Sequence, residues 1–386
     1  MIDGDRPTVA FLTTFYDGAV DGRFGRFHDW IHAVRSAEDP PFDAEVVALT
    51  ATDHDDDLAS DPHAILGDGD ELWATALNKP ESLLNVPRCA RALRRLDYDV
   101  LHVLTLDTIA FPLAAAFGRD RLVVGPDVQG YFPGRLGDRW SASGAQGRRQ
   151  RARFHLRRWL RRLAPVARAV ALSEYHRSNV EKVGFDREAI EVLPPGVDPI
   201  FSPQATPEAG ALDGPVEFLY VGDLSAYKGY PLFLEALAAL ETDEPWTARI
   251  VGSGEPDEEL AAELGIADLV THEGFVARAD LPAYYRQADF FVMPSIDENG
   301  PNTIVEALSC GTPVLATDRP GINEYGDASC CRFFDRTTAD IRATLQEALE
   351  ERAALSDGAL AYARSHSIED TMDALAALYR DVARGE

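Results

Sequence analysis

Between residues 216 and 317, short apolar runs and helical periodicities take turns without a break. Strand-like runs at 216–221, 248–251, 269–272, 290–293 and 314–317 are separated by helical patterns at 231–240, 258–264, 281–288 and 303–309. Runs of this length, rich in Val, Ile, Leu and Phe, suit strands buried on both faces, and strands joined through helices pair in parallel. The pattern predicts an open parallel α/β sheet with helices on both sides.

The first half repeats that character less regularly. Strands are expected at 9–13, 44–49, 100–104, 121–125 and 169–172, with helices at 28–35 and 86–96. A loop punctuated by Gly18, Gly22 and Gly25 follows the first strand, making a strand, glycine loop and helix unit. With 386 residues, the chain is too long for one ordinary core. The stretch 199–215, rich in Pro, Gly and Ala, loses periodicity and reads as the connection. The expected domains are therefore 1–199 and 200–367, and an amphipathic helix at 368–382 ends the sequence.

Composition narrows the setting. The net charge is −27, and Lys79, Lys182 and Lys228 are the only lysines. An acid-rich, lysine-poor surface suits a high-salt cytoplasm, where self-repulsion is screened, so a halophilic source is expected. The N-terminal segment lacks a basic region followed by an apolar stretch, and no apolar run approaches a membrane span. Cys89, Cys310, Cys330 and Cys331 show neither a disulfide framework nor metal-ligand spacing. The expected location is cytoplasmic.

Chemistry concentrates in PSIDENGPNTIVEALSCGTPVLATDRPGINE, residues 294–324. An apolar strand runs into a polar loop, Pro301 limits the loop, Asn302 can cap, and a helix follows until Gly311. In open α/β sheets ligands bind beyond the carboxyl ends of the strands. The helix start at Asn302, Thr303 and Ile304 offers free N–H groups to a phosphate. Glu298 and Glu306 flank it, and a carboxylate can accept two hydroxyl hydrogen bonds from a sugar or ribose diol.

This segment resembles retaining GT-B glycosyltransferases of the family-4 type (glycosyl transferases group 1). The match runs through Pro294, Ser295, Glu298, Gly300, Glu306, Ala307, Gly311, Pro313 and Val314, and continues to Gly321 and Glu324. A second segment, VGDLSAYKG at 221–229, resembles the family's glycine, leucine, lysine, glycine spacing, with Gly222 and Lys228 in place. The stretches 251–255, 273–276 and 173–198 also resemble family segments, and ALYRDV near the end resembles the family's closing helix, which crosses back onto the first domain. The resemblance implies two Rossmann-like domains with parallel sheets facing a cleft. It places Glu298 on the donor sugar, Glu306 on the ribose, and Lys228 with the backbone of Asn302, Thr303 and Ile304 on the diphosphate. Phe275 and Val276 would contact the base, and Gly22, Gly222 and Gly300 would line the donor. Two departures stand out: Asp223 replaces the family's arginine, and the stretch 123–134 lacks the usual histidine. Either Asp223 points away from the donor, or Arg23 or Arg26 supplies the missing cation, and Asp127 or Gln129 would meet the donor sugar. His102 lies within a strand and reads as core.

The implied activity is transfer of a hexose from a UDP- or GDP-sugar to a glycan or lipid-linked acceptor, with retention and without a metal or other cofactor. The alternatives are a catalytically silent relative that binds a sugar nucleotide or a partner, and a nucleotide-sugar epimerase. Residues 139–173 contain no acid, and within them Arg148–Arg162 form a basic segment. Leu156, Trp159, Leu160 and Leu163 share one helical face there, and Arg153, Arg157, Arg158 and Arg161 the other. Such a helix suits an anionic membrane surface, giving peripheral attachment on the inner face. Nucleic acid is not expected, because the overall charge opposes it.

Overall fold

The computed structural model describes residues 6–13, 25–48, 80–105, 110–127, 165–193, 196–203 and 214–385, together with 155, 156, 158, 159, 161 and 162. The chain divides into two compact units, Met1–Pro194 with Ile368–Glu386, and Pro195–Ser367.

In the first unit the order is β1 (Thr8–Thr13), α1 (Gly25–Ser36), β2 (Asp43–Ala48), α2 (Pro80–Arg95), β3 (Val100–Thr105), α3 (Ala110–Gly118), β4 (Leu122–Asp127), β5 (Arg168–Ala171), α4 (Glu174–Val183) and β6 (Ile190–Val192). The strands form one parallel sheet, ordered β2-β1-β3-β4-β5-β6. Alternate residues of β1 serve opposite layers, as a two-covered sheet requires. Ala10 and Leu12 join Leu101, Val103 and Phe111 on one side, and Val9 and Phe11 join Trp30, Phe42 and Val46 on the other.

The helix Ile368–Arg384 packs into that second layer through Leu375, Ala376, Tyr379 and Val382. Its Tyr379 hydroxyl lies 2.7 Å from His102 Nδ1, while His102 Nε2 lies 2.6 Å from the Gly125 carbonyl. A carbonyl only accepts, so Nε2 carries the proton and Nδ1 accepts from the tyrosine. Burial pushes the imidazole pKa down to about 4. His102 is thus a neutral core residue.

The second unit runs β7 (Val216–Val221), α5 (Tyr230–Ala238), β8 (Trp246–Val251), α6 (Glu258–Glu263), β9 (Val270–Gly274), α7 (Leu281–Gln287), β10 (Phe290–Met293), α8 (Asn302–Ser309), β11 (Val314–Thr317), β12 (Cys331–Phe334), α9 (Thr338–Glu350) and α10 (Arg352–Ser365). Its parallel sheet is ordered β12-β11-β10-β7-β8-β9. The direction of strand succession therefore reverses between β10 and β7, a topological switch point. Two apolar layers sandwich this sheet, one built on α8 and Tyr285, the other on Phe233, Leu237, Ile341 and Leu345.

The outermost strands β6 and β12 are short additions to the expected set. The segment 196–203 belongs with the second unit. Asp198 accepts from the N–H of Ile200, Arg286 donates to the carbonyls of Ile200 and Ser202, and Phe201 is buried against Tyr285. These contacts put the change of unit a few residues earlier than the loss of periodicity suggests.

Candidate functional site

Two loops meet at the switch point. After β7 the chain turns through residues 222–229, with Leu224 donating to Ser253 O and Gly229 to Ser225 O. After β10 it runs through 294–301 into α8. A Cβ on Gly229, at φ +81°, would stand 2.2 Å from the Pro294 carbonyl oxygen, so only glycine permits this approach. Ile296 N–H donates to Tyr227 O at 3.0 Å, and the Tyr227 hydroxyl to Asp297 O at 2.8 Å.

That close approach brings charged groups together. Lys228 Nζ donates to Glu298 Oε1 at 2.6 Å, and Ser295 Oγ donates to the same oxygen at 2.7 Å. Arg336, just beyond β12, donates through Nε to Pro294 O at 2.9 Å and through Nη2 to Ala226 O. Burial, with the Arg319 guanidinium nearby, lowers the Arg336 pKa below its ordinary range.

Helix α8 begins with Asn302 itself. Pro301 holds the cap position and no side chain caps it, so Asn302 is the first helical residue rather than the cap. The first N–H groups have no partner within the helix and carry the positive end of its dipole. Ile304 is fully buried in the core, so its side chain does not reach a ligand. Thr303 is anchored by its hydroxyl on Met293 Sδ at 3.6 Å.

Glu306 lies one turn further in and is 2% exposed. Arg278 Nη1 donates to its Oε1 at 2.5 Å and the Tyr285 hydroxyl to its Oε2 at 2.9 Å. The Arg278 guanidinium also lies 4.7 Å over the Phe201 ring. Burial, and then the adjacent carboxylate, push the Tyr285 phenol well above its usual range. The carboxylate expected from the sequence to accept a diol is a buried one, oriented by an arginine and a tyrosine. Each oxygen keeps a second lone-pair direction.

The remaining expected residues divide clearly. Phe275, just after β9, is 60% exposed, whereas Val276 packs against the α8 layer. Asp223 is exposed, and its carbonyl accepts from the Tyr220 hydroxyl at 2.7 Å. Gly222 and Gly300 are partly buried in the meeting loops, and Asn302 is partly buried at the start of α8. Gly22, Arg23, Gln129 and the side chains of Arg26 and Asp127 lie outside the described residues. So does most of the basic segment, but Leu156 and Trp159 are 39% and 54% exposed, and Arg161 stacks 4.5 Å over Phe185. Among the described residues no helix is long and apolar enough to cross a membrane. Sequence reasoning misses Arg278, Tyr285 and Arg336. Ser295 was available from the matched motif, but Arg336 has no local signal.

Comparison with known proteins agrees with this fold. Residues 203–356 match the family model for glycosyl transferases group 1, and residues 39–201 match that for glycosyltransferase family 4. A D-inositol 3-phosphate glycosyltransferase of Geodermatophilus obscurus is 34% identical over 227 residues, 54% of this chain and 50% of that protein. The chain thus spans about half the length of the curated relatives it matches. Sucrose-phosphate synthase from Thermosynechococcus elongatus superposes with a TM-score of 0.71 at 18% identity, covering 99% of this chain and 100% of that one. HepE of Anabaena, in complex with UDP-glucose, gives a TM-score of 0.69 at 20% identity, covering 97% and 99%. The fold is GT-B, with two Rossmann-like domains.

Proposed function

We propose that this chain, which carries a glycosyltransferase family 4 domain followed by a glycosyl transferases group 1 domain, moves a hexose from a UDP- or GDP-sugar to a glycan or lipid-linked acceptor with retention of configuration. The observation that carries the reading is the convergence of Lys228 and Glu298 beside the uncapped start of α8. A cation, a carboxylate and the positive end of a helix dipole meet at a switch point, where open α/β sheets take nucleotides.

In this reading the diphosphate takes over Lys228 and lies on the N–H groups of Asn302, Thr303 and Ile304. Those groups, rather than a metal, stabilise the charge that develops as the sugar leaves. Glu298, held by Ser295, accepts from sugar hydroxyls, and the buried Glu306 accepts from the ribose through its remaining lone pairs. Phe275 offers an exposed ring to the base, with Val276 behind it. The departing diphosphate deprotonates the acceptor hydroxyl on the face it leaves, so the anomeric configuration is kept without a protein nucleophile.

The exposure of Leu156 and Trp159 within the basic segment supports an acceptor taken at an anionic membrane surface, on the cytoplasmic side. A silent, donor-binding relative is the second reading, favoured by Asp223, which puts an exposed acid where the family carries arginine.

A thermal-shift panel of UDP-, GDP-, ADP- and TDP-sugars in molar KCl tests the proposal. A donor at about 100 times its Kd stabilises by about 2.7 kcal/mol. A shift with one nucleotide class, lost in Lys228→Ala, supports the site. Absence of any shift sinks it. Binding without transfer to any acceptor favours the silent relative, and conversion of donor alone favours an epimerase.

A further inference from the structure

Arg336 is the side chain that ties the two meeting loops together from outside both of them. Its Nε donates to Pro294 O at 2.9 Å and its Nη2 to Ala226 O, carbonyls 42 and 110 residues away in sequence. Pro294 immediately precedes Ser295, whose hydroxyl holds Glu298, and Ala226 stands two residues before Lys228. Gly229 allows the loops to approach until a Cβ would lie 2.2 Å from that same Pro294 oxygen. Carbonyl dipoles crowded at one point repel unless a shared donor sits between them. A planar guanidinium offers several N–H groups in a fixed fork, which a lysine ammonium does not.

We infer that Arg336 is the positioning residue of the donor site, setting the distance between Lys228 and Glu298 by clamping the carbonyls of Ala226 and Pro294. This rests on the sugar-nucleotide reading above. Arg336 touches no donor group in this account and acts through the two loops. Its partly buried position, with Arg319 nearby, shows a cation held there against its own desolvation.

The test compares the wild type with Arg336→Ala and Arg336→Lys. Donor affinity is measured by calorimetric titration with whichever UDP- or GDP-sugar stabilises the wild type, and hydrogen exchange is measured without ligand. Losing a hydrogen bond from a charged donor corresponds to about tenfold to a hundredfold in an equilibrium constant, so Arg336→Ala should weaken donor binding by about that factor. Arg336→Lys should recover part of that loss. Faster exchange should be confined to 223–229 and 294–300, with β8 and β11 unchanged. A merely structural arginine would instead loosen the whole unit. Donor affinity like the wild type's, or exchange rising throughout the unit, would overturn the inference. A wild type that binds no nucleotide sugar would overturn the donor reading as well, so the two failures are distinct.

Discussion

Lys228 Nζ lies 2.6 Å from Glu298 Oε1 across 70 residues of sequence, so the two groups expected to hold a donor hold each other. Their side chains are 31% and 18% exposed, and pairs this accessible are worth about 1 kcal/mol or less. A diphosphate can exchange for the carboxylate at small cost. Glu298→Gln should therefore tighten binding of the free nucleoside diphosphate severalfold, because Lys228 loses its competitor. The same change should weaken the nucleotide sugar relative to the nucleoside diphosphate, because the sugar loses its charged acceptor. Lys228→Ala should lose both ligands. Paired titrations of diphosphate and sugar nucleotide read the two signs separately, and weaker diphosphate binding in Glu298→Gln would count against the assignment.

The Arg278–Glu306 pair predicts the opposite balance, since both groups are mostly withdrawn from water, at 16% and 2% exposure. Removing one partner of a buried pair leaves an uncompensated charge and costs about 3–5 kcal/mol. Arg278→Ala should destabilise the second unit by that order in urea unfolding. Arg278→Met combined with Glu306→Gln should recover much of the loss without restoring donor binding. If the double variant is as unstable as Arg278→Ala, the uncompensated carboxylate is not the cause.

What was legible in the sequence follows from what is local. β7, β8, β10 and β11 are visible because each is a compact apolar run between helical patterns. β12 is hidden because CRFF mixes a cation into a short strand, and β6 because it has only three residues. Periodicity places Lys228 and Glu298 at strand ends, but not which strand ends are neighbours. That came through the family resemblance, and the sheet order supplies the reason. Arg336 and Arg278 were not legible at all. Their long side chains reach carbonyls and a carboxylate that lie 28 to 110 residues away, and nothing around either arginine encodes such a reach.

His102 gives a pH signature to the first unit. Its pKa falls from 6.5 to about 4 because burial disfavours the imidazolium. Between those values the unfolded chain binds a proton that the folded one refuses. The contribution is fully present above pH 6.5, is lost as pH falls toward 4, and is constant below that. A shift of this size corresponds to roughly 3 kcal/mol. His102→Gln should lower stability at neutral pH yet flatten the loss between pH 6.5 and 4, relative to the wild type. Parallel slopes in denaturant titrations across that window would exclude the histidine as the source.

Salt should act on the two charged regions with opposite sign. A chain of net charge −27 repels itself, and raising ionic strength from 0.1 M to 1 M shortens the screening length from about 10 Å to 3 Å, so thermal stability should climb with KCl. The same screening weakens any attraction between the basic segment and anionic lipid. At high salt, membrane attachment must then rest on apolar contact, which Leu156 and Trp159 expose in that segment. In molar KCl, Trp159→Ala should abolish cosedimentation with phosphatidylglycerol vesicles, while Arg158→Gln changes little. At low salt the arginine variant should lose binding too. If attachment at molar KCl survives Trp159→Ala, the exposed tryptophan is not the anchor. If the wild type binds no vesicles at either salt, the acceptor is met in solution.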